Sequence, residues 1–228
     1  MKYVALDIET GAATGAALEM EQDLIRPNAN IKNEDKKRLN VEEKRLKAKD
    51  RAALLDSSPI TCVGAKTETN IFSVTSFEFG YQEELAEIGI LSHQESTEKD
   101  LLVSLAAFVD SAVTDENTVL VTFNGMGFDL PKLRLAYARH SLEIPDMFCP
   151  GWHHIDLMLR YCKYYTIKKD YMVCMSTVLK KLGIATGGKQ ISGKLFPEMV
   201  DEGKYLEAVL YNVIDCIMTE QIYFRIGK

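Results

Sequence analysis

The tightest constraint on this chain is Thr118-Val119-Leu120-Val121-Thr122-Phe123, a nearly continuous apolar run. A strand with no polar alternation has both faces covered, the mark of a central strand in an α/β sheet. It leads directly into Asn124-Gly125-Met126-Gly127-Phe128-Asp129, and the sequence predicts a helix from about Pro131 to His140. Gly125 and Gly127 allow a tight exit, and Pro131 suits a first helical turn. Asp129 therefore falls where a strand becomes a helix, the place where open α/β sheets gather their sites.

A second strand opens the chain. Tyr3-Val4-Ala5-Leu6-Asp7-Ile8-Glu9-Thr10 is an apolar run that ends in two carboxylates one residue apart. Alternate residues of a strand share a face, so Asp7 and Glu9 project together while Leu6 and Ile8 take the other side. Like charges that close repel unless one is protonated or a cation lies between them. The pair invites a divalent metal, although D-x-E alone also fits a strand ending in a polar loop.

Further strands are expected over Ile60-Thr61-Cys62-Val63-Gly64-Ala65 and Asn70-Ile71-Phe72-Ser73-Val74-Thr75, forming a meander with the N-terminal one. Another short strand is expected at His154-Ile155-Asp156-Leu157-Met158. Leu101, Leu102, Leu105, Ala106, Phe108 and Val109 recur at helical spacing between Glu98 and Val113, with Ser96 or Thr97 as cap. A last helix with a broad apolar face spans about Glu198 to Ile226 and carries Tyr211 and Asp215, four apart and so on one side. A polar pair on an apolar helix satisfies itself or serves a site.

Two stretches are locally basic although the chain carries a net charge of −6. From Lys36 to Arg51 the composition favours a helix, read either as a solvated face or as a basic flap beside a phosphate-binding cleft. From Arg160 to Lys194, cations that include Lys168 and Lys169 alternate with Tyr161, Tyr164, Tyr165 and Tyr171. Cations that track phosphates and aromatic faces that stack on bases suit single-stranded nucleic acid, and a solvated face over core tyrosines suits the pattern equally. The composition, 46% hydrophobic and 26% charged, is that of an ordinary globular domain. No apolar run reaches the roughly 18 residues of a membrane span, and Asp7 interrupts the first apolar run too early for a signal peptide. A single domain over 1–228 in the cytoplasm is expected, with a basic helical insertion at about 11–58. Five widely spaced cysteines without a C-x-x-C pair argue against a disulfide framework and a zinc site.

Asp7-x-Glu9, Asn124-x-x-x-Phe128-Asp129 and Tyr211-x-x-x-Asp215 stand in an order that resembles the three motifs of the DEDD superfamily of 3′-to-5′ exonucleases. The surrounding runs at Phe128-Asp129-Leu130-Pro131 and His154-Ile155-Asp156-Leu157-Met158 are similar to stand-alone relatives of the family-B DNA polymerase proofreading domain. Tyr211 four residues before Asp215, with Leu210 five before it, is the tyrosine type. The resemblance implies a ribonuclease-H-like α/β fold with a central mixed β-sheet flanked by α-helices. It implies hydrolysis from the 3′ end of single-stranded DNA or frayed ends by two divalent ions, Mg²⁺ or Mn²⁺, releasing nucleoside 5′-monophosphates. Asp7 would bridge both ions, Glu9 and Asp215 would hold the one that activates water, and Asp129 would support the other. Tyr211 would orient that water, while Thr10, Asn124, Phe128, Lys168 and Lys169 would touch the substrate. An exoribonuclease of the same fold and an idle module that binds nucleic-acid ends are the alternatives. A replication or repair protein is an expected partner, a membrane is not.

Overall fold

A computed structural model describes residues 2–50, 56–113, 116–166, 173–185 and 195–227. Chain contacts divide them into two compact units, one of Met1–Glu9 with Ile60–Lys228 and one of Thr10–Pro59. The first is built on a six-stranded sheet. Its strands are β1 (Tyr3–Thr10), β2 (Ile60–Lys66), β3 (Ile71–Thr75), β4 (Ile90–Gln94), β5 (Val119–Thr122) and β6 (His154–Asp156), in the spatial order β4-β3-β2-β1-β5-β6. The apolar β5 lies beside β1 in the centre, parallel to it, with Tyr3 opposite Val119 and Ala5 opposite Val121. β2 and β3 are antiparallel, whereas β3 with β4 and β5 with β6 are parallel. The sheet is therefore mixed and flanked by helices, as expected.

Period-two alternation sorts the central strands between two cores. Val4, Leu6 and Ile8 of β1 and Leu120 of β5 pack with Leu101, Leu105 and Leu133, which lie on α4 (Glu98–Ala112) and α5 (Asp129–Arg139). Tyr3 and Ala5 with Val119 and Val121 take the opposite face. There they meet α6 (Leu157–Tyr164), α7 (Met175–Leu182) and α9 (Tyr205–Ile222) through Leu157, Val178 and Ile222. Each fully buried aliphatic side chain contributes about 1.5–3 kcal/mol. The odd-numbered residues of β1 thus face α9, and Asp7 and Glu9 continue that row.

Several local expectations change. The strand at 154–158 stops at Asp156, whose carboxylate accepts the Leu159 N–H at 3.2 Å and caps α6. An Asp that caps the next helix cannot also continue a strand. The long C-terminal helix is interrupted. α8 (Phe196–Asp201) ends ahead of Gly203, whose φ of +73° turns the chain before α9 begins. The helix α3 (Gln82–Glu87) and strand β4 were not expected, because neither has a strong apolar period: β4 buries only Ile90 fully.

The unit Thr10–Pro59 holds α1 (Gly15–Leu24) and α2 (Glu34–Asp50), joined by Arg45 to Asp23 at 3.3 Å and Lys44 to the Arg26 carbonyl at 2.8 Å. On α2 the cations Lys37, Arg38 and Lys47 pair with Glu34, Glu42 and Glu43 one turn away, all at the surface. Such exposed pairs suit a solvated helix face. Among the described residues no helix is long and apolar enough to cross a membrane, and all five cysteines are free thiols.

Candidate metal centre

Asp7 and Glu9 leave the sheet on the side that α9 covers, and α9 presents Asp215 to them. One carboxylate oxygen from each of the three lies within 4.8 Å of the others. Glu9 and Asp215 are each only 9% exposed. Three hard oxygen donors at that spacing fit Mg²⁺ or Mn²⁺ better than a softer ion.

Asp129 stands beside this group and outside the triad itself. It opens α5 at the end of the β5 turn and is 3% exposed, and one carboxylate oxygen accepts the Ile8 N–H at 3.1 Å. Burial pushes its pKa up to about 7, and the charges of Asp156 and Asp215 push the same way against the backbone hydrogen bonds of Ile8 and Asp129. Without a cation Asp129 therefore holds its proton to a higher pH than an ordinary carboxylate.

Tyr211 is buried on α9, its ring 6.5 Å from that of Phe196. Burial raises its pKa far above the ordinary value, and the charges of Asp215, Glu9 and Asp7 and a hydrogen bond to Asp215 add to the effect. The hydroxyl therefore keeps its proton and acts as a donor.

The turn between β5 and α5 has its own anchor. Asp156 accepts the N–H groups of Asn124 at 3.2 Å and Met126 at 3.0 Å, which holds Asn124 at a φ of +68°. Thr122 Oγ1 accepts the Gly125 N–H at 3.1 Å in the same turn. Phe128 packs partly against the core with Leu130 and Leu133, so only part of its ring faces outward. Thr10 is buried at the end of β1. Lys168 and Lys169 lie outside the described residues.

Two contributors escaped the sequence. Asp156 does lie in the expected strand, but its place as the strand's last residue and helix cap was not read, although Asp ahead of a helix is a capping signal. Asn212 is fully buried, and its amide donates to Asp7 Oδ2 at 2.7 Å. Its one trace in sequence is indirect: Gly64, inside an apolar strand, marks a close approach.

A family model, RNase_H_2, described as RNase_H superfamily, matches residues 64–226. The chain belongs to the RNase H superfamily. Comparison with curated proteins finds no match. Family membership and the carboxylate cluster together support an RNase-H-like, nucleic-acid-processing hydrolase with a centre for a divalent ion. They also correct two expectations. The matching family is this one and not the tyrosine-type DEDD proofreading group, so that assignment falls, and with it the 3′-to-5′ DNA exonuclease activity it implied. The physical reason is that a few spaced carboxylates specify a metal centre acting on phosphate. They encode neither the sugar nor the end at which a strand is cut.

Proposed function

We propose that this RNase H superfamily chain is a divalent-metal-dependent nuclease that hydrolyses phosphodiester bonds, with an RNA strand, alone or paired with DNA, as its substrate. The observation that carries the reading is the convergence of Asp7, Glu9 and Asp215 from two elements onto one point. These three would hold one Mg²⁺ or Mn²⁺, and Asp129, which accepts the Ile8 N–H at 3.1 Å, would serve a second. Ions held there would supply Lewis-acid polarisation of the phosphate and a more acidic attacking water. The chain does the rest. Tyr211 keeps Asp215 in place through its hydroxyl, and Asp156 holds the Asn124–Met126 turn at the edge where the strand enters. In this reading Asn124 and Phe128 of that turn touch the strand, and Thr10, Lys168 and Lys169 are further substrate contacts. Residues 10–59 form an insertion in one catalytic domain.

Uniformly labelled linear and circular RNA, the matching RNA–DNA hybrids and DNA, incubated with Mn²⁺ or with chelator, test the reading. Cleavage of the RNA strand that needs metal and disappears in Asp7→Ala is expected. The circular substrate separates internal cuts from trimming at ends. If no nucleic acid is cut at any metal concentration, the proposal fails.

A further inference from the structure

The three metal-binding carboxylates come from two elements, a strand and a helix, and something must fix the spacing between them. We infer that Asn212 is the positioning residue that does so, by clamping the Asp7 carboxylate to α9. The inference rests on the reading that Asp7, Glu9 and Asp215 hold a divalent ion.

Asn212 follows Tyr211 on α9, lies one turn before Asp215 and is 0% exposed. Its Nδ2 reaches Asp7 twice, at Oδ2 (2.7 Å) and at the main-chain carbonyl (3.3 Å). Both are acceptors, so the NH₂ end must face Asp7, and chemistry alone fixes the direction of the amide. The oxygen end then faces Cys62, whose Sγ–H donates to Oδ1 at 3.5 Å. A core amide needs partners. This one takes the side chain and backbone of the same ligand residue.

The neighbouring strand is shaped around the amide. A Cβ at Gly64 would lie 2.5 Å from Asn212 Oδ1 and 2.9 Å from Cys216 Sγ. A side chain there would force Asn212, Cys216 or the strand to shift. Gly64 on β2, Asp7 on β1 and Asn212 on α9 thus form one contiguous unit. Because Asn212 and Asp215 share a rigid helix, anchoring Asp7 to the first sets its place relative to the second. The 2.7 Å bond also assigns Oδ2 to the amide. Supporting hydrogen bonds of this kind orient ligands and change metal affinity about 10–100-fold when removed.

Asn212→Leu keeps the volume and removes both N–H donors. The metal-free full-length chain is titrated with Mn²⁺ alone and the free ion followed by electron paramagnetic resonance. The Mn²⁺ Kd should rise about 10–100-fold, while the thermal midpoint of the metal-free protein stays near wild type. In the cleavage assay, excess Mn²⁺ should restore kcat with KM for the strand unchanged. Cys62→Ala removes the amide's other partner and should leave the Mn²⁺ Kd as it was. Asn212→Ala, which forces no larger group into the core, replaces the leucine variant should that one fail to fold. An Mn²⁺ Kd within about twofold of wild type in the folded variant would overturn the inference and leave Asn212 an ordinary core amide. The titration needs no substrate, so a wild-type protein that binds Mn²⁺ and cuts nothing defeats the nuclease reading alone.

Discussion

Two acids, each at the start of a helix, behave in opposite ways. Glu98, at the start of α4, accepts from the Ile60 N–H at 2.7 Å, from Arg139 at 2.7 and 2.9 Å and from His140 at 2.7 Å. Burial alone would raise its pKa, but the backbone bond from Ile60 and the bonds from His140 and Arg139 outweigh it and hold the pKa below the ordinary value. Asp129 is more deeply buried, the side chains that act on it are Asp156 and Asp215, and its pKa climbs to about 7. A carboxylate held by donors is a brace between β2, α4 and α5. A carboxylate among acids gives up its proton later, and a cation from solution would favour its anion.

The contrast makes pH the strongest probe. Folding raises the Asp129 pKa from an ordinary 3.8 to about 7, so between those values the folded chain binds more protons than the unfolded one. Its contribution to stability is complete below about pH 4 and is lost as pH rises to 7, by up to about 4 kcal/mol in the metal-free protein. Glu98 has the opposite sign: its contribution holds above the ordinary 4.5 and is lost as pH falls. Urea unfolding between pH 4 and 8 with chelator should show the Asp129 loss, and Asp129→Asn should flatten it. Added Mn²⁺ should flatten it too, because the ion takes the place of the proton. A metal-free stability that rises steadily from pH 4 to 7 would mean that Asp129 is ionised without help.

Next in size is Glu98→Ala, which strands the Ile60 N–H and the side chains of Arg139 and His140. It should lower unfolding stability by about 3 kcal/mol and leave the Mn²⁺ Kd unchanged. A shift in metal affinity would show that the brace and the metal centre are coupled. The smallest effect is expected from Tyr211→Phe, which keeps the ring packed on Phe196 and removes one hydrogen bond to Asp215. Loss of one supporting bond should slow cleavage about tenfold while binding of the strand, measured in Ca²⁺, changes little. Equal losses in both would make Tyr211 a packing residue.

The carboxylates themselves were legible because each sits at a position where secondary structure fixes direction. Asp7 and Glu9 alternate along β1, Asp129 follows a strand exit, and Asp215 lies one turn from Tyr211 on a helix. The local boundaries read less well. Asp156 ends its strand and caps the next helix, and Gly203 breaks a helix whose apolar period runs on across it. The identity of the activity read least well of all, since short acidic motifs describe how phosphate is held and not which polymer carries it.

By itself the sequence determined the layered α/β plan, through the apolar run of β5 and the alternation of β1, and it named the acids that the sheet would gather. Both follow from period and direction along the chain, which are local properties. Only the tertiary structure decided that Asp7, Glu9 and Asp215 meet within 4.8 Å while Asp129 stands aside, and that Asn212 reaches across to Asp7 over the space left by Gly64. Those relations join residues up to 208 positions apart. The packing of α9 on the sheet sets their distances, and no local pattern records it.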